Sequence, residues 1–242
     1  MTKVNFLFGY PLEFKNLCMV YPPKVRETFK KEFSLYSQIL TISQEEIEDE
    51  YAERNLDVSD LLNPFEYLLN SAYNDQQLKE YIEEAFFFFI REPITFLFEQ
   101  KQIIIGEVSE IKSINDIRVL KEEDYFDFQN LIREAVGKDV VEPPNPNEDP
   151  RVKAIKAKAR YRDKIKAKKG KGLTLQATLS SICCMGIGIT PLNIGELSYA
   201  IIPVLLSTYQ AKEKYALDIE SLLAGADAKK IKPEYWIRNF DN

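Results

Sequence analysis

Histidine is absent from this 242-residue chain. That removes Ser-His-Asp and Cys-His nucleophile systems and histidine-ligated metal centres together, so any catalysis is expected to rest on carboxylates, lysines or thiols. Cysteine is nearly absent: Cys18, Cys183 and Cys184 are too few and too unevenly placed for a disulfide framework, which fits a reducing cytosol. No charged N-terminal segment precedes an apolar run and a small-residue cleavage site, so no secretory leader is expected. A bilayer-length apolar run is missing as well. The longest apolar region, 173–192, is interrupted by Thr174, Gln176, Thr178, two serines, two glycines and Pro191, and it reads as a buried helix.

Two phosphate-binding patterns fail on spacing. Lys169-Gly170-Lys171-Gly172 lacks the arrangement of a phosphate loop, and Gly186-Ile187-Gly188 has Pro191 where a dinucleotide fingerprint needs its third glycine. Cys183-Cys184 has no second cysteine pair and no histidine to complete a metal site, so apolar packing is the simpler reading. The acidic runs at Glu45-Glu46, Glu48-Asp49-Glu50 and Glu122 to Asp124 are explained as solvated helix faces and first turns. No cofactor is expected.

The composition, 45% hydrophobic and 29% charged, is that of a globular protein able to bury a core without disulfides or metal. Its charge is divided sharply along the chain. Residues 1–150 carry 15 basic against 30 acidic side chains, a net of −15; residues 151–172 carry 11 against 1, a net of +10; residues 173–242 carry 6 against 7, a net of −1.

Apolar spacing and punctuation predict a mainly α fold with a small β component. Phe6-Leu7-Phe8 and Cys18-Met19-Val20-Tyr21 read as short extended segments. Pro23 in a first turn, then Val25, Phe29, Phe33, Tyr36 and Leu40, predict one helix over about 24–40. Ser43 with Glu46 forms a capping-box pattern for an acidic helix to about Arg54. Asn63-Pro64 and Asp75 cap two more helices, the second apolar almost all round through Phe86 to Ile90. Ile94 to Phe98 and Ile103 to Ile105 flank a polar turn and read as a hairpin, and Lys121 to Asp124 opens a helix ending at Gly137.

Four prolines in 142–150 mark a linker between an acidic helical domain, 1–141, and a basic helix, 151–172. In the C-terminal domain, 173–242, Thr174 caps a helix to Met185, and Thr190-Pro191 opens a short one. Ile202, Leu205, Tyr209, Ala216, Ile219 and Leu223 then trace one stripe, broken only by Lys212, of a long helix that Gly225 closes. A basic-aromatic tail follows, with the chain's one tryptophan.

The candidate partner-binding residues are Lys156, Lys158, Arg160, Arg162, Lys164 and Lys166 in the basic helix, and Tyr235 and Trp236 in the tail. Dense cationic side chains neutralise phosphates, so nucleic acid is the alternative partner for this segment, less favoured because the flanking acidic domain would repel a polyanion. An acidic protein, or the chain's own −15 domain, satisfies the same charge. Tyr and Trp anchor interfaces and cores alike.

Several blocks resemble a known group. Tyr10-Pro11-Leu12-Glu13-Phe14-Lys15-Asn16-Leu17 and Val20-Tyr21-Pro22-Pro23-Lys24-Val25 are followed by Glu122-Glu123-Asp124-Tyr125-Phe126 and Asn130-Leu131-Ile132. A charged helix comes next, then Leu222-Leu223-Ala224-Gly225-Ala226 and Pro233-Glu234-Tyr235-Trp236. In this order they resemble the hub-assembly or tail-assembly chaperones of contractile-tailed phages. The C-terminal block is also similar to phage tail-assembly chaperones encoded near the tape-measure gene. The resemblance implies a non-enzymatic protein of the host cytoplasm, or of the virion tail or baseplate. It would bind hub or tape-measure components during assembly, and the family brings no catalytic residue with it.

Overall fold

The computed structural model describes residues 2–30, 32–53, 61–107, 117–143, 149, 151–152, 155–156, 158–160, 162, 174–227 and 231–235. Their architecture is mainly α with two small antiparallel sheets.

The chain opens with helix α1 (Thr2–Leu7), where the short apolar run Phe6-Leu7-Phe8 predicts an extended segment. Burial decides the difference: Phe6 enters the main core and packs toward α6 (Glu122–Ala135), while Phe8 is 70% exposed, so the two do not share a strand face. Strands β1 (Leu12–Phe14) and β2 (Cys18–Val20) form a hairpin with Phe14 opposite Cys18. Its turn holds Lys15 and Asn16 at φ of 46° and 57°. Asn tolerates that left-handed region; Lys15 is held there by ion pairs to Asp124 (2.8 Å) and Asp127 (2.7 Å) in α6.

The single helix expected over 24–40 is two. Val25–Phe29 is a 3-10 turn, and α2 spans Phe33–Thr41. The backbone of Lys24 and Val25 is committed elsewhere: Lys24 bridges Ser198, and the Val25 N–H donates to the Leu197 carbonyl at 2.9 Å. Val25 therefore serves a different core from Phe33, and one straight helix cannot feed both.

The next elements follow their caps. In α3 (Gln44–Glu53) the Glu46 N–H donates to Ser43 Oγ at 3.2 Å and the Ser43 N–H to Glu46 Oε2 at 2.8 Å. Asn63 caps α4 (Pro64–Asn74) through Glu66 N–H, and Asp75 caps α5 (Gln76–Ile90) through the N–H groups of Gln77 and Leu78. Helices α2, α4, α5 and α6 enclose the main core, with Phe86 stacked on Phe128 at 5.4 Å and Phe14 edge-on to Phe128 at 5.5 Å. Phe87 alone in the Phe86–Phe89 run turns outward, 53% exposed.

The predicted hairpin is β3 (Ile94–Leu97) with β4 (Gln102–Ile105), Ile94 opposite Ile105. A third strand, β5 (Arg118–Leu120), which apolar spacing does not predict, joins the far edge of β4. Arg118 draws it in, pairing with Glu92 and donating from Nη1 to the Leu17 carbonyl at 3.0 Å, which ties the two sheets together.

Beyond the basic segment, α7 (Leu175–Cys184) is capped by Thr174, whose Oγ1 accepts from Ala177 N–H. A 3-10 turn at Ile194–Glu196 leads into α8 (Ile201–Leu223), closed by Gly225 at φ +94°. The opening predicted at Thr190 is a turn in which Thr190 N–H donates to Asn193 Oδ1 at 2.8 Å. A second, smaller core unites Leu179, Ile182, Ile194 and Ile202 with Val25. The seam to the main body continues with Tyr199 N–H to the Pro23 carbonyl at 2.8 Å, Lys24 to Glu196 at 2.8 Å, and Tyr199 edge-on to Phe33 at 5.3 Å.

Candidate interaction surfaces

The described residues of the basic segment are helical, and Lys156, Lys158 and Arg162 are exposed on it. Arg160 is half-buried. Its guanidinium lies against α3, Nη1 at 2.7 Å from Glu45 and Nη2 at 4.0 Å from Asp49. These carboxylates are one helical turn apart, so α3 presents both to the same side chain. The opposite face of α3 is fixed by fully buried Ile47. Arg160 Nε is shut off from solvent and has no hydrogen-bond partner among the described residues. Lys164 and Lys166 lie outside the described residues.

Helix α8 has a different character. Of its 23 residues only Ile202 is buried. Pro203 sits in the first turn, where a missing N–H costs nothing, and the helix then leaves the small core. Its predicted stripe is real as a pattern but is buried only at that first turn: Leu205, Tyr209 and Ile219 are half-buried, Ala216 is exposed and Leu223 is 83% exposed. Leu217, off the stripe, is 60% exposed. After Gly225 the chain turns back, and Tyr235 meets Tyr215 edge-on at 5.7 Å and 89°. Tyr235 thus belongs to α8 and Arg160 to α3; Trp236 lies outside the described residues.

One surface escapes sequence reasoning. An open groove of about 630 Å³ runs between α4 and the β3–β4 turn, lined by Tyr51, Leu69, Tyr73, Phe98 and others, with Lys101 paired to Glu66 at 2.6 Å at its side. Its walls are about 30 residues apart in the chain, beyond the reach of any local pattern. Tyr73, on the outer face of α4, stands edge-on to Phe98 at 5.3 Å.

Burial, full or partial, shifts several titratable groups. Cys18 is buried in the main core, and burial, reinforced by the Glu92 carboxylate, pushes its thiol up to about 12. Tyr36 is raised by burial and by donating to Glu84 at 2.5 Å; Lys138 is lowered by burial, with Arg133 nearby, and donates to Thr41 Oγ1 at 3.0 Å. Among the described residues no three cysteine or carboxylate side chains are grouped to hold a metal ion, and no helix is long and apolar enough to cross a membrane. Comparison with protein-family models, curated protein sequences and solved structures finds no match to this chain.

Proposed function

We propose that this chain works by holding another protein, and that its place is the assembly of a phage tail or baseplate in the host cytoplasm, against hub or tape-measure components. The observation that carries the binding role is α8: a 23-residue amphipathic helix whose apolar stripe stays half-covered past its first turn. An isolated helix of that composition gains little from propensity alone, and burying its stripe against a partner supplies the missing stabilisation. Helix-in-groove recognition uses the i, i+3, i+4, i+7 spacing that this stripe presents. The phage context rests on the resemblance of the sequence blocks. The candidate basic residues add orientation and salt sensitivity to an apolar contact.

The test is co-purification with tail proteins expressed alongside the chain. Ala216→Glu with Leu223→Glu, both on exposed positions of the stripe, leaves stability within about 1 kcal/mol and reduces capture at least tenfold, since a buried leucine is worth roughly 1.5–3 kcal/mol. Capture that survives this double substitution rejects α8 as the binding face. Neutralising Lys156, Lys158, Lys164 and Lys166 weakens capture chiefly at low salt. The alternative function, a nucleic-acid-binding accessory protein using 151–172, predicts instead steep salt-dependent binding of DNA or RNA by the full chain alone.

A further inference from the structure

Arg160 identifies the chemistry that the basic segment grips. It spans Glu45 and Asp49, carboxylates at i and i+4 on one face of α3, with its side chain half-buried and Nε closed to water. A guanidinium seated this way is packed against a helix surface rather than laid along a flexible chain of charges. The segment that carries it has 11 basic residues to 1 acidic, while α3 has the sequence Gln-Glu-Glu-Ile-Glu-Asp-Glu-Tyr-Ala-Glu.

We propose that α3 is an internal stand-in for an acidic helix of the partner protein: in the free chain it holds the basic segment through Arg160, and a partner helix with carboxylates at the same spacing displaces it. Ion pairs left partly open to water are weak and exchange readily. The internal pair is favoured by being on the same chain, so an external helix must offer more carboxylates, a second contact, or both. The stripe of α8 is such a second contact, and to that extent the inference rests on the protein-binding reading above. The arrangement withholds only Arg160 from other anions; Lys156, Lys158 and Arg162 stay exposed.

The experiment uses the full chain and a fluorescent, helix-stabilised peptide of Ser43 to Arg54 as the acidic probe, followed by anisotropy at low ionic strength. Binding is expected to tighten about three- to fivefold in E45Q/D49N, the scale of removing an internal ion pair of this exposure. In wild-type protein the Arg160 Nε–H resonance is expected to broaden as peptide is added. R160E should bind the probe several-fold more weakly than wild type, and a peptide carrying lysine in place of Glu45 and Asp49 should bind R160E better than it binds wild type.

Equal peptide affinity in wild type and a folded E45Q/D49N, or an Arg160 resonance unmoved while peptide binds, overturns the proposal. Tighter binding of a 12-nucleotide single strand than of the peptide, at the same salt, overturns the acidic-protein assignment in favour of nucleic acid. Because the probe is synthetic, failure here is distinct from failure to capture tail proteins, which tests α8.

Discussion

At the scale of single residues, two buried groups have costs that can be measured. Tyr125 is fully buried between Phe65 and Phe128, and its hydroxyl has no partner among the described residues. An unpaired buried hydroxyl costs about 1–3 kcal/mol of desolvation, so Tyr125→Phe, which keeps the ring contacts, should raise the urea midpoint by the equivalent of about 1 kcal/mol with an unchanged slope. A lowered midpoint would mean that the hydroxyl has a partner. Cys18 gives a pH signature. Its folded thiol is raised to about 12 against 9.0 in the unfolded chain, so above pH 9 the unfolded state releases a proton that the folded state keeps. Stability from this group is complete below pH 9 and declines between 9 and about 12, by at most about 1.4 kcal/mol per pH unit. The difference between wild type and Cys18→Ala in urea titrations from pH 8 to 11 isolates it. In native protein a thiol reagent should label exposed Cys184 first and Cys18 only on unfolding.

At the scale of elements, what the sequence shows depends on whether the deciding interaction is local. Capping signals at Ser43, Asn63, Asp75 and Thr174 mark helix starts correctly because cap and backbone partner lie within three residues. Gly225 marks the end of α8 for the same reason. The split near Lys30 was hidden, since it comes from Lys24 and Val25 pairing with Ser198 and Leu197, more than 170 positions away. Strand β5 was hidden too: three residues with an arginine at their head carry no alternation, and the Arg118–Glu92 pair that recruits them joins separate elements. In the candidate sites, charge density picked out Arg160 but not its acceptors, because Glu45 and Asp49 read equally well as a solvated face. The stripe of α8 was legible as a helix, but periodicity does not say whether a neighbour covers it.

At the scale of the molecule, the position of α8 depends on one close approach at the seam. Gly137 ends α6 at φ +70°, and a Cβ there would lie 3.2 Å from Ala200 Cα, 3.3 Å from the Ala200 carbonyl and 3.3 Å from Pro203 Cγ. Backbone rather than a flexible side chain is in the way, so the obstruction cannot swing aside. Gly137→Ala combines a left-handed alanine, roughly 1–2 kcal/mol, with overpacking of similar size. Relief is expected from a shift of the start of α8, with Ala200 and Pro203, away from α6, since α5 supplies none of the three nearest obstructing atoms. The expected result is a loss of about 2–4 kcal/mol with faster amide exchange at Val25 and Tyr199, whose N–H groups cross the seam, and unchanged exchange at Phe86 and Phe89 in α5. Equal acceleration at all four amides would show instead that the two cores unfold as one cooperative unit. Loss of tail-protein capture by Gly137→Ala under conditions where the main core remains folded would then show that binding needs α8 held in place as well as present.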